Sequence, residues 1–134
     1  MKVAAKLIGL FLITTFILTS CIPEGRDYGK ELYEDKCSNC HGIEGDGLQQ
    51  LFPPLKNADY LVANQDKLAC IIRYGTEGGS TVNGVVFETK MDGQPLLSDV
   101  DIHNIINYIS KNINSNVTKV NISEVNKMLE KCKK

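Results

Sequence analysis

Apolar residues recur with helical spacing in several separate segments of this 134-residue chain. From Tyr28 to Cys37 they return every three or four positions, which predicts a helix that ends near residues 41–42. Residues 66–74 repeat this spacing, with Asp66 as the expected N-cap. The pattern therefore predicts two helices separated by a long connecting segment.

The clearest helical pattern begins at Ser98. This residue is a good N-cap, Asp101 stands at the third helical position, and isoleucines follow on one face as far as Ile113. Residues 111–120 are rich in asparagine and predict a loop. Ser123 is then expected to cap a last short helix.

The segments between these helices contain the residues that interrupt regular structure. Glycines and prolines punctuate residues 42–54, and residues 75–80 form a second glycine-rich stretch. The chain therefore predicts an all-α fold of three to five helices with little or no sheet. Such long loops are unusual in a compact domain unless they surround something other than one another, such as a large apolar cofactor.

The N-terminus has the pattern of an export signal. Lys2 and Lys6 precede an apolar run over residues 7–18, which is shorter than the roughly 20 residues that a membrane-spanning helix needs. The run ends in Leu-Thr-Ser-Cys, which resembles the lipobox of bacterial lipoproteins. We therefore expect residues 1–20 to be a signal peptide and Cys21 to carry the lipid, with acyl chains such as palmitate; the alternative is an ordinary cleavage site beside a bystander cysteine.

The expected mature chain is a single small domain. Residues 21–27 read as a lipid-anchored tether, and residues 28–134 as one domain. Loss of the two signal-peptide lysines changes the formal net charge from −1 to −3, and no basic run suggests nucleic-acid binding. The expected location is the cell envelope, attached to a membrane and facing the periplasm or the exterior.

The sequence Cys37-Ser38-Asn39-Cys40-His41 is the motif with the most specific chemistry. Cys-x-x-Cys-His is the attachment signature of c-type haem, because two thiols at this spacing reach the two vinyl groups and the adjacent imidazole binds the iron. Two alternatives remain, a thioredoxin-like redox pair and half of a zinc site. The first requires a βαβ context and the second requires further ligands.

Around this motif the chain resembles the monohaem class I cytochromes c, over residues 28–113. The resemblance rests on the Gly29–Tyr33 helix, the motif with its following Gly42, and the later Gly-Asp-Gly and Pro-Pro-Leu segments. It implies one covalent haem c wrapped by helices and loops. In the family a proline carbonyl orients the haem histidine, which implies this role for Pro53, with Leu55 packed on the haem.

The resemblance also implies a methionine as the second axial ligand. Met91 precedes a Leu-Ser-Asp helix start, as the family's ligand methionine typically does, whereas Met128 lies on an apolar helical face that favours a core role. The same resemblance places Tyr108 and Ile109 against Gly29, which permits a close helix crossing because it has no side chain.

His/Met ligation would leave no open coordination position, so we expect an electron carrier rather than an enzyme. The expected partners are redox proteins in or at the membrane of a bacterial respiratory chain. An alternative is a haem-bearing accessory subunit of an oxidoreductase or terminal oxidase complex. A ligand-binding haem sensor is a third possibility, which requires that Met91 be displaced easily.

Three further groups of residues need an interpretation. Cys70 and Cys132 remain after the other cysteines are assigned, so a disulfide is expected, with two free buried thiols as the alternative. His103 lies opposite most of the isoleucines and is expected to be solvated, with axial ligation as the rival role. Arg73 is suited equally to a haem propionate or to solvent.

Overall fold

The computed structural model describes Gly25 and residues 27–132. The expectations for the signal peptide and for Cys21 lie outside these residues. Within them, no helix is both long enough and apolar enough to cross a bilayer. The helices are α1 Tyr28–Lys36, α2 Ser38–His41, α3 Asp59–Ala63, a 3₁₀ turn Gln65–Lys67, α4 Leu68–Tyr74, α5 Asp99–Tyr108, its π-helical continuation Ile109–Ile113, and α6 Ile122–Cys132.

Four short strands accompany the helices in the described part of the chain. They are β1 Gly75–Thr76, β2 Ser80–Val82, β3 Val85–Phe87 and β4 Met91–Asp92, and they form two antiparallel pairs, β1 with β4 and β2 with β3. The mostly helical fold agrees with the prediction. The β2–β3 hairpin was not predicted, although its turn residues Asn83 and Gly84, with φ of 52° and 80°, match the Asn-Gly signature of a two-residue hairpin loop.

The crossing of α1 and α5 fixes the end of the fold that carries the Cys-x-x-Cys-His motif. A Cβ atom on Gly29 would lie 2.6 Å from the Asn104 carbonyl oxygen and 3.0 Å from Tyr108 Cβ. The rings of Tyr33 and Tyr108 pack with their centroids 5.3 Å apart, and Tyr33 is fully buried. The predicted close crossing at Gly29 is therefore confirmed.

The predicted start of α5 is correct. The Ser98 hydroxyl accepts a hydrogen bond from the Asp101 amide at 3.1 Å, and the Asp101 carboxylate accepts one from the Ser98 amide at 2.8 Å. Two such bonds satisfy amides that the first helical turn leaves without partners. The pKa of Asp101 is lowered, first because its charged carboxylate accepts a hydrogen bond from the Ser98 hydroxyl at 2.7 Å and second because it accepts the one from the Ser98 amide.

Two other predicted helix starts are wrong. Asp66 lies inside the 3₁₀ turn, which the Lys67 amide closes by donating to the Asn64 carbonyl at 2.9 Å, and α4 begins at Leu68 without a side-chain cap. The last helix is capped by Asn121 and not by Ser123, which lies within its first turn. The reciprocal bonds between Asn121 and Glu124, of 3.0 and 2.7 Å, form a capping box that starts the helix two residues before the expected cap.

The loop over residues 114–121 folds back over the outer face of α5. Asn107 exchanges hydrogen bonds with Val120, its amide nitrogen donating at 2.9 Å and its oxygen accepting at 2.9 Å. The same amide nitrogen lies 3.0 Å from Nε2 of His103. His103 is therefore half-buried under this loop and not solvated as expected.

The last helix packs on α4 and α5, and a disulfide joins Cys70 to Cys132, with Cα atoms 6.0 Å apart. The bond closes a loop across 62 residues. A cross-link of this span stabilises a fold by about 4 kcal/mol in the chain-entropy account, because it restricts the unfolded chain. It ties α6 to the helix that borders the site described next.

Candidate functional site

A cavity of about 560 Å³ lies in the middle of the fold, within the size range of cofactor pockets. Most of its lining is apolar and comes from the helices and from the hairpin. Members of the buried core that face it are Leu55, Ala58, Leu61, Leu68, Ile72, Val82, Phe87, Ile105, Ile106 and Ile109. The described core is therefore built around this space and is not packed solid.

His41 lies at the end of α2 and lines the cavity. Its Nδ1 is 2.9 Å from the Pro53 carbonyl oxygen. A carbonyl oxygen only accepts, so Nδ1 carries the proton and Nε2 keeps its lone pair for a metal. Burial lowers the pKa of His41, and the bond to Pro53 offsets part of that effect. The ring is thus held neutral and fixed in orientation, which is the state that binds metal.

The loop after the motif is folded so that the Pro53 carbonyl reaches the ring. The Gly47 amide donates to the His41 carbonyl at 2.8 Å, and the Gly45 carbonyl accepts from the amides of Leu55 and Lys56 at 2.8 and 2.9 Å. A proline after Pro53 restricts its backbone to an extended conformation. These hydrogen bonds and the proline fix the conformation of the glycine-rich stretch, which in turn fixes the orientation of the imidazole.

Cys37 and Cys40 are free thiols, and both line the cavity beside His41. Cys37 is half-buried and Cys40 is exposed. Burial, together with the charge of Cys40, raises the pKa of Cys37 to about 11. A thioredoxin-like pair needs a thiol whose pKa is lowered, so this environment argues against that alternative. The described strands also pair antiparallel, which is not the βαβ context that such a site requires.

The zinc alternative needs further ligands near the two thiols. Among residues 27–132, no three His, Cys, Asp or Glu side chains are grouped so that they could share a metal ion. His103 does not line the cavity, and Cys70 and Cys132 are bonded to each other on another side of α4. The described residues therefore supply no further ligands that would complete a zinc site beside the two thiols.

Met91 lines the same cavity as His41, whereas Met128 does not. Met91 is the first residue of β4 and pairs with Thr76 of β1, the strand that directly follows α4. This pairing places Met91 at the cavity wall. Met128 lies half-buried on α6 and packs against the core. Pro53 and Leu55, the other expected contacts, also line the cavity.

Two sets of hydrogen-bonding residues that support the cavity wall were not predicted from the sequence. Asn114 is buried, and its side-chain amide donates to the carbonyls of Leu55 and Ala58 at 3.0 and 3.3 Å. The position was assigned to a polar loop, and nothing in a run of asparagines marks one of them as buried. The second group is the hairpin tip, where Asn83 and Asp59 exchange hydrogen bonds of 2.7 and 3.1 Å.

The donor set and the cavity fit a covalently attached haem. Two free thiols and an oriented imidazole meet at one wall, a thioether-bearing segment forms another part of the lining, and the remaining surface is mainly apolar. A porphyrin requires this combination, because its plane is apolar and its iron prefers nitrogen and sulfur ligands.

Comparison with known proteins also indicates a covalently attached haem. Residues 27–112 match the cytochrome c family. A cytochrome c-552 of Thermus thermophilus is 26% identical over 102 residues, which cover 73% of this chain and 68% of that protein. A second Thermus thermophilus cytochrome c-552 is 29% identical over 86 residues, or 61% of this chain and 65% of its own length. The aligned regions thus span about two thirds of these relatives. Since the family match covers more than half of the chain, this protein belongs to the cytochrome c family, the haem-binding electron-transfer proteins.

Proposed function

We propose that the protein binds one haem c through Cys37 and Cys40, with His41 and Met91 as axial ligands, and carries single electrons between redox partners of a bacterial respiratory chain. The observation that carries the proposal is the His41 imidazole, fixed at 2.9 Å by the Pro53 carbonyl in a cavity that the two free thiols and Met91 also line. The bound haem supplies an iron that alternates between the ferric and ferrous states.

The residues of this chain support a carrier better than a catalyst. With His41 and Met91 as its two axial ligands, the haem iron would have no position open for a substrate. The apolar lining excludes water and limits the rearrangement that accompanies a change of charge. Cys40 is exposed while Cys37 is half-buried, so the Cys40 side of the site lies nearest the protein surface, where a partner would exchange electrons.

The carrier is tested with the full chain, exported and matured together with the cytochrome c assembly machinery. We expect a covalent haem that does not dissociate on denaturation, one-electron oxidation and reduction, and rapid reversible reduction by more than one membrane redox protein. A stable stoichiometric complex with a single oxidoreductase or oxidase would favour the accessory-subunit role. Exported protein that contains no haem would contradict both functions.

We further propose that Cys21 anchors the mature protein to a membrane through lipid. The support is the Leu-Thr-Ser-Cys sequence after a short apolar run. The Cys21→Ser variant should lose labelling by a fatty-acid probe, because a serine cannot take the thioether-linked lipid. Haem content should stay unchanged, since residue 21 lies outside the domain. A variant that still takes up the fatty-acid label would contradict the anchor.

A further inference from the structure

The segment that follows Met91 is attached to the C-terminal end of α4. Beyond the two paired residues of β1 and β4, the Gln94 amide donates to the Ile72 carbonyl at 2.8 Å. A Cβ atom on Gly93 would lie 2.5 Å from the Arg73 carbonyl oxygen, so the two backbones touch there. The β1–β4 pairing and the Gln94 hydrogen bond together form only a short ladder. A strand pairing of two residues is weak by itself.

The Arg73 side chain extends this attachment. Its Nη1 donates to the Pro95 carbonyl at 3.2 Å, and its Nη2 donates to the Asp99 carboxylate at 2.6 Å. Asp99 is the first residue of α5, so one guanidinium joins α4, the loop and the next helix. The Asn126 amide of α6, oriented with its nitrogen toward Asp99, donates to the second carboxylate oxygen at 3.2 Å.

We propose that Arg73 is a positioning residue for Met91, acting through the loop of residues 93–98. The inference rests on the proposed role of Met91 as axial ligand. Arg73 does not line the cavity, and both of its described side-chain acceptors belong to the loop and to α5. It therefore ties the loop that follows Met91 to α4 and α5 and does not form part of the cavity lining.

This pair differs from an ordinary surface ion pair. Exposed pairs contribute little, because water screens the charges and two long side chains must be ordered. The Arg73 side chain is only 16% exposed, although Asp99 is 50% exposed, and Arg73 satisfies a loop carbonyl as well as a carboxylate. The planar guanidinium can reach two acceptors in fixed directions, which a lysine ammonium on a flexible chain does not reproduce.

The experiment compares holoprotein variants by two measurements. In Arg73→Gln, imidazole should displace Met91 about fivefold more readily, and backbone amides of residues 91–97 should exchange faster by a similar factor, as expected for loss of a partly shielded charged contact. Arg73→Lys should recover part of both effects, because it can still pair with Asp99. The control Lys30→Gln breaks the exposed pair with Glu34 and should change neither measurement.

The outcomes separate this proposal from the proposed ligand set. If amide exchange is unchanged in Arg73→Gln, Arg73 does not hold the loop of residues 93–98. If exchange is faster but imidazole displaces Met91 no more easily, the positioning role is overturned. If Arg73→Gln does not fold, wild-type behaviour of Arg73→Lys in both measurements overturns the proposal as well. The ligand set is tested independently by Met91→Ala, whose spectrum does not depend on Arg73.

Discussion

Replacement of both Cys37 and Cys40 by serine is expected to give an exported protein that is colourless and largely unfolded. Serine hydroxyls do not form the thioether bonds that hold the haem. The empty cavity of about 560 Å³ would then remain at the centre of the core. At about 24 cal/mol per Å³, a void of this size costs about 13 kcal/mol, which is comparable to the 5–15 kcal/mol that stabilises a whole domain.

Haem staining after denaturing electrophoresis and far-ultraviolet circular dichroism measure the two parts of this prediction. The matched control replaces Cys70 and Cys132 by serine, which removes the same number of sulfur atoms outside the cavity. The control should keep its colour and helical spectrum and lose up to about 4 kcal/mol of unfolding free energy. A haem-free Cys37→Ser, Cys40→Ser protein with native-like helicity would show that the polypeptide folds without the cofactor.

The parts of the site that depend on local sequence were predictable. The motif at residues 37–41 constrains its own geometry, because two residues between thiols and an adjacent histidine form a single helical turn. The Ser98 cap was found for the same reason, since cap and partner are three residues apart. In both cases the chemistry is contained within one turn of the chain.

Features that depend on tertiary packing were missed or placed wrongly. His103 was expected in solvent because its own helix face is polar, but the loop that carries Val120 covers it. The role of Arg73 needed the positions of Pro95 and Asp99, which are 22 and 26 residues away. Asn114 holds carbonyls 56 and 59 residues away. Sequence patterns do not encode which distant polar groups will meet.

The hairpin is a different kind of omission, because its signal was local. Asn83-Gly84 stands between valines and predicts a two-residue turn, yet the glycines at 75–79 suggested irregular structure throughout. The hairpin matters for the site, since buried Val82 and Phe87 line the cavity and Val85 and Val86 remain exposed. In β3 two exposed valines precede the buried Phe87, so the burial pattern does not alternate as a strand's usually does.

Met91→Ala is expected to keep its haem but change the chemistry of the iron. The thiols proposed to attach the haem lie in another segment, so covalent attachment should remain complete. Loss of the proposed thioether ligand would leave an open axial position and would remove a ligand that favours ferrous iron. The reduction potential should therefore fall by about 100 mV or more, within the ~0.8 V range that axial ligands control.

The same variant should bind carbon monoxide when reduced at neutral pH, whereas the wild-type protein should resist it, and the ferric spectrum should lose its weak red methionine-ligand band. Met128→Ala is the matched control, because it makes the identical change on α6, away from the cavity. It should keep the wild-type potential and spectrum and lose about 1–2 kcal/mol of stability, less than a fully buried methionine would. If reduced Met128→Ala bound carbon monoxide and reduced Met91→Ala did not, the β4 segment would not supply the axial ligand. If neither variant bound carbon monoxide, the second axial ligand would be a side chain other than methionine, and the proposed pair of His41 and Met91 would be wrong.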